Sequence, residues 1–142
     1  MKTTYTSRNI LLLTTFSIFV IASVSLYARH HLSEASTDPR AFGGSWANAD
    51  PRAQGIKIVE LKQDQGTLFV HVWGACVPRN CDWGARAANL SDKNVNAQWD
   101  LEGMKITLVL ALRGDRLRAK ATYKYEDGRA QEYETDYFTR QL

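Results

Sequence analysis

The stretch that decides the fold is Asn94-Val-Asn-Ala-Gln-Trp99-Asp-Leu101-Glu-Gly103-Met104-Lys-Ile-Thr-Leu-Val-Leu-Ala-Leu112-Arg-Gly114-Asp115-Arg-Leu117-Arg-Ala-Lys-Ala121-Thr-Tyr123-Lys-Tyr125. Apolar side chains recur at every second position: Val95, Ala97, Trp99 and Leu101; then Met104, Ile106, Leu108, Leu110 and Leu112; then Leu117, Ala119, Ala121, Tyr123 and Tyr125. A period of two is the mark of a strand with one buried face. The runs are separated by Glu102-Gly103 and Gly114-Asp115, and glycine's tolerance of positive φ is what a tight hairpin needs. Register tests the reading, because a slip of one residue turns a whole apolar face to solvent. Two-residue turns pair Leu101 with Met104, Asp100 with Lys105 and Trp99 with Ile106, then Leu112 with Leu117, Leu110 with Ala119 and Leu108 with Ala121. Both hairpins keep one face apolar, so three antiparallel strands follow.

Toward the C-terminus, Asp127-Gly128 opens the next hairpin. A two-residue turn there sets Tyr123 opposite Glu132 and Ala121 opposite Glu134, which puts acids on the inner face. A three-residue loop, Glu126-Asp127-Gly128, pairs Ala121 with Tyr133 and Leu117 with Tyr137 instead. It also places Lys120 opposite Glu134 and Arg118 opposite Asp136 as outer cross-strand charge pairs. The three-residue loop is therefore expected. Toward the N-terminus, Leu68, Val70 and Val72 alternate with Phe69, His71 and Trp73, and further strands are expected near 45–49, 56–62 and 82–88. A sheet of about eight short strands must roll up to cover its edges. The expectation is an all-β antiparallel meander forming a small barrel or strongly curved half-barrel over 43–142, with a two-sheet sandwich as the alternative.

No charged residue occurs from Ile10 to Ala28, long enough for about one membrane crossing by a helix. Lys2 and Arg8 precede it, which keeps the amino terminus in the cytoplasm and sends the rest outward. Residues 1–28 read as an uncleaved signal anchor or as a signal peptide cut near Ser23 and Ser25, although Leu26 spoils a cut after Ala28. No Cys near the end of the segment supports a lipoprotein anchor. Either reading places the remaining chain outside the cytoplasm, anchored in the membrane through residues 10–28 or secreted. Residues 29–42 are polar and lack a sustained period, so they read as a tether. His30 and His31 lie in it with no neighbouring His or Cys to share a metal.

Of 18 Lys and Arg and 15 Asp and Glu, four basic and two acidic residues fall in the first forty positions, leaving 14 and 13 beyond them. The β-region is thus nearly neutral with interleaved charges, and no nucleic-acid partner is expected. Cys76 and Cys81 are the two cysteines. Their spacing is neither that of a redox Cys-x-x-Cys nor half of a zinc site, so no metal or other cofactor is expected. Outside the cytoplasm they most simply form a disulfide that fixes the loop carrying Pro78, Arg79 and Asn80, with a pair of free buried thiols as the alternative.

Gly44-Ser-Trp46-Ala-Asn48-Ala-Asp50, followed by a strand that ends in Gly74-Ala-Cys76-Val-Pro78-Arg-Asn-Cys81-Asp82-Trp83-Gly84, resembles the pattern of a family of small secreted or surface-attached bacterial β-domains. The likeness extends over most of 43–138, and Cys-Asp-Trp-Gly is its specific part. No activity is attached to that family. The resemblance implies the disulfide and the β-architecture and carries over no catalytic residue.

Four tryptophans mark the β-region. Trp99 shares the apolar face with Val95 and Leu101 and is expected in the core; Trp46 is expected to close one end, and Trp83 to pack on the disulfide loop. Phe69, His71 and Trp73 form a second stripe opposite Leu68, Val70 and Val72, so one stripe must face away from the core unless both are covered. That stripe, with Arg79, Asn80, Asp82 and Trp83, is the candidate ligand surface, since Trp and Tyr give large contact area at small entropic loss. Nucleophile elbow, zinc-protease helix, phosphate loop and dinucleotide fingerprint are all absent from the sequence, so an enzyme is not expected. The expected function is non-catalytic binding of a glycan or cell-envelope component. Alternatives are a protein-directed inhibitor, immunity or envelope-complex accessory protein, and a carrier of a small apolar ligand, which the bulky inward residues disfavour.

Overall fold

The computed structural model describes residues 38–142; the expected membrane segment, 10–28, and His30 and His31 lie outside the described residues. The order is α1 (Pro39–Phe42), β1 (Gly44–Asn48), β2 (Ile56–Asp64), β3 (Thr67–Gly74), β4 (Cys81–Ser91), β5 (Asn94–Leu101), β6 (Met104–Arg113), β7 (Arg116–Tyr125) and β8 (Glu132–Arg140). Each strand pairs antiparallel with the next, and β8 returns to β1, closing a barrel.

The two hairpins on either side of β6 take the register that apolar pairing dictates: Trp99 faces Ile106, Leu101 faces Met104, and Leu112, Leu110 and Leu108 face Leu117, Ala119 and Ala121. Eight strands enclose an interior just wide enough for side chains to fill. Val59, Val70, Val95, Ile106, Leu108, Leu110 and Leu117 fill it and are fully buried. Gln65-Gly66 and Asp92-Lys93 take positive φ in the other two tight turns, which matches their twist to that of the strands.

The β7–β8 pairing overturns the expected three-residue loop. Ala121 faces Glu134 rather than Tyr133, Leu117 faces Phe138 rather than Tyr137, and Lys120 and Arg118 face Thr135 and Tyr137 rather than acids. The two registers differ by one residue, so the choice is which side chains enter the barrel. The observed one buries Phe138 completely, an apolar burial that contributes about 1.5–3 kcal/mol. It leaves Tyr133 and Tyr137 outside at 75% and 45% exposure. Its cost is that Glu134 and Asp136 turn inward, and both fall only half-buried, toward one end of the barrel. Acids at an open end keep much of their hydration, so the aromatic side chain wins.

The other end is sealed. Of the stretch 29–42 expected to be tether, Pro39–Phe42 form α1, opened by Asp38, whose carboxylate accepts from Arg40 N at 2.9 Å. Phe42 is fully buried, and its carbonyl accepts from the Trp46 indole N–H at 2.9 Å. Arg140 covers this plug, its guanidinium 4.2 Å from the Trp46 ring and donating to the carbonyls of Ala41 and Gly43. Trp46 therefore closes one end, as its place ahead of the meander suggests.

The wall is uneven. Ladder pairs between β4 and β5 are confined to Asn89–Asn96, Leu90–Val95 and Ser91–Asn94. The first part of β4 and the last part of β5 therefore separate as they approach the open end.

Candidate functional site

The corner Cys81-Asp82-Trp83-Gly84 organises the open end. Cys76 and Cys81 are disulfide-bonded across 5.4 Å between Cα atoms, which closes a loop whose tip, Val77, is 98% exposed beside exposed Arg79 and Asn80. The β3–β4 ladder then shifts register, since Val72 pairs with Gly84 and Trp73 with Asp82, leaving Trp83 as a bulge. The Asp82 carboxylate holds this bend. Its Oδ1 lies 2.5 Å from His71 Nε2 and accepts the Gly84 N–H at 2.7 Å. The hydrogen bond from His71, then that from Gly84, hold its pKa below the ordinary aspartate value. Gly84 has φ +78, a conformation in which a side chain is strained, and its carbonyl accepts from the Trp99 indole N–H at 2.9 Å.

The bulge aims Trp83 into the barrel end, not onto the disulfide loop. The indole lies over Gly74, where a Cβ would come within 2.6 Å of the ring, and meets Trp99 edge-on with centroids 6.5 Å apart. Trp99 itself is in the core, 1% exposed.

The candidate ligand surface therefore divides three ways. Phe69, His71 and Trp73 lie half-buried on the outer wall, where His71 stacks on Trp73 at 3.8 Å and 17°, and Asp82 joins them. Their β4 neighbours Ala87 and Ala85 are small and exposed, so that flank of the stripe is open. Arg79 and Asn80 stand apart on the loop. Trp83 belongs to the interior of the open end.

Here lies a cavity of about 490 Å³, within the range of small-ligand pockets. Trp83, Met104, Tyr123 and Tyr125 form much of its wall; Glu132, Tyr133 and Glu134 come from β8, and Gln54, Gly55 and Ala75 from the facing loops. The loop 49–55 is tied down by the remaining motif residues. Asn48 Nδ2 donates to the Ile56 carbonyl at 2.8 Å, and Asn48 and Asp50 side chains accept from Asp50 N and Arg52 N. Ala75 N then donates to the Gly55 carbonyl at 2.8 Å. A Cβ on Gly55 would overlap the Glu134 carboxylate, so glycine makes the approach of that acid feasible.

Tyr123 Oη donates to Glu134 Oε2 at 2.7 Å on the cavity wall. Burial pushes the Glu134 carboxyl above its ordinary range, reinforced by neighbouring Asp136 and opposed by the Tyr123 hydrogen bond. Burial, then the bond to Glu134, pushes the Tyr123 phenol up as well. Tyr125 is raised by partial desolvation and by its hydrogen bond with Glu132. The Tyr123–Glu134 pair thus shares the cavity wall with Tyr125 and Glu132. None of the residues lining the cavity is basic. Nearby Arg129 rests 3.8 Å over the Tyr125 ring, with its Nε donating to Asp127 at 2.8 Å.

Reasoning from sequence did not assign Tyr123, Tyr125, Glu132, Glu134 or Gln54 to a site. The signal was the Glu132-x-Glu134 alternation opposite Tyr123, which appears only in the register set aside for burying acids. Among the described residues no group of three or more His, Cys, Asp or Glu side chains is arranged to hold a metal ion. Comparison of the chain with protein-family models, with curated proteins and with solved structures gives no significant match.

Proposed function

We propose that this chain is a non-catalytic extracytoplasmic binding domain, membrane-tethered or secreted, that takes a glycan or another envelope component at the open mouth of its barrel. The observation that carries the reading is the ring-lined cavity around the Tyr123–Glu134 pair. Sugars present apolar C–H faces and hydroxyl edges, which match an aromatic wall bearing carboxylate and amide acceptors. The extracytoplasmic setting draws support from the uncharged Ile10 to Ala28 segment and from the disulfide. The likeness to small secreted bacterial β-domains fits the same setting.

The test is titration with oligosaccharides released from bacterial envelopes, read by tryptophan fluorescence and calorimetry. Binding that perturbs Trp83 emission and weakens in Tyr123→Ala supports the reading; binding untouched by either Trp83→Phe or Tyr123→Ala overturns it.

The protein-directed alternative is favoured by a separate observation, the outer stripe of Phe69, His71 and Trp73 with its stacked rings. Aromatic side chains at a rigid surface are the usual anchors of protein interfaces. Under that reading Trp73→Ala abolishes capture of an envelope protein and leaves the glycan titration unchanged.

A further inference from the structure

Two features of the mouth bear on the charge of a guest. The first is its uncompensated charge. Glu132 and Glu134 line the cavity with no basic residue among its walls. The ion pairs of the described residues, Arg52–Asp50, Lys62–Glu60, His71–Asp82, Lys105–Asp100 and Arg129–Asp127, involve neither acid. Glu134 is instead held by the Tyr123 hydroxyl, which orients the carboxylate without neutralising it.

The second is the arrangement of rings. Trp83, Tyr123 and Tyr125 line the same space, with exposed Tyr133 at its rim, and aromatic faces attract cations, most strongly where water is thinned out. The chain itself supplies the precedent, since the Arg129 guanidinium already sits 3.8 Å over Tyr125. Its charge is matched by Asp127, with contacts from both Nε and the backbone N–H, so it forms an ion pair with neither glutamate.

We infer that the mouth recognises a protonated primary amine, and that its ligand is a glycan carrying free amino sugars rather than N-acylated ones. The inference rests on the glycan reading above and narrows it. The ammonium donates to Glu134 and Glu132 while the sugar's apolar face lies on Trp83 and Met104. An N-acetyl group removes the charge and adds a methyl facing two carboxylates.

The experiment compares a β-1,4-linked glucosamine tetramer with its fully N-acetylated counterpart, titrated calorimetrically into the full-length chain in a neutral detergent. The amine tetramer is expected to bind at least about tenfold more tightly, the scale of one desolvated cation–π contact plus a charge-assisted hydrogen bond. Raising the salt from about 0.05 to 0.5 M should weaken it, because the Debye length shrinks several-fold. Glu132→Gln sits on an exposed residue and leaves folding intact; with Glu134→Gln it should erase the preference for the amine while keeping affinity for the acetylated tetramer. Equal binding of the two tetramers, or a preference for the acetylated one, overturns the inference and leaves the glycan reading standing. Binding of neither, with Trp83 emission unchanged, overturns both.

Discussion

The indole N–H of Trp99 donates to the carbonyl of Gly84 at 2.9 Å, and this bond crosses the barrel wall where β4 and β5 have parted. A core side chain thereby does what backbone ladder bonds do elsewhere in the wall. Trp99→Phe keeps most of the apolar volume and removes the donor. It should lower stability by about 1 kcal/mol. Amide exchange should accelerate across Ala85 to Ala88; unchanged protection there would mean that the seam is held by something else.

Gly74 lies beneath the Trp83 ring, with no room for a methyl group. Gly74→Ala should push the indole outward into the mouth, shift its emission to the red, and cost about 1–3 kcal/mol from overpacking. A crystal structure of the variant with Trp83 in place would refute this account of the cavity wall.

The Cys76–Cys81 bridge closes a short loop, so its effect on the unfolded chain is at the lower end of the disulfide range. Reduction, or the paired Cys76→Ser and Cys81→Ser change, should cost about 2 kcal/mol in denaturant melts and leave the barrel folded. Complete unfolding on reduction would show that the bridge carries far more than loop closure.

Two carboxyl groups make stability depend on pH with opposite sign. Glu134 has a raised pKa in the folded chain, so its favourable contribution is complete below the ordinary glutamate range and is lost as pH rises through the folded value. Glu134→Gln should therefore be more stable than the parent at neutral pH, with the difference vanishing in acid. Asp82 has a lowered pKa, so its contribution is present above the ordinary aspartate range and is lost as pH falls through the folded value. Asp82→Asn should be destabilising at neutral pH, and the difference should shrink as pH falls below the ordinary aspartate range and vanish only below the folded value. Thermal melts of the parent and both variants from acid to neutral pH decide each sign.

The barrel was legible wherever a tight turn and an apolar alternation agreed, as at Glu102-Gly103 and Gly114-Asp115. It misled where they conflicted. At β7–β8 the sequence offers either Phe138 or a pair of tyrosines to the interior, and avoiding inward acids favours the tyrosines. That rule belongs to a closed interior, and Glu134 and Asp136 lie toward the open end. The outer stripe of Phe69, His71 and Trp73 was readable because period two separates the faces of a strand. Trp83 was not, since a bulge breaks that period. Beyond the Glu132-x-Glu134 alternation the cavity had no local signal, because Gln54, Trp83 and Tyr123, which help to line it, are remote in the chain.

The plug of Phe42, Trp46 and Arg140 bears on transport. A cylinder stopped at its base and stacked with Val, Leu and Ile through its middle offers ions and solutes no through-route. It is a cup and not a pipe: whatever settles in it arrives and departs over the same lip. Occupancy should then saturate at one guest per chain, and any guest that outgrows the lip must leave its remainder dangling in solvent.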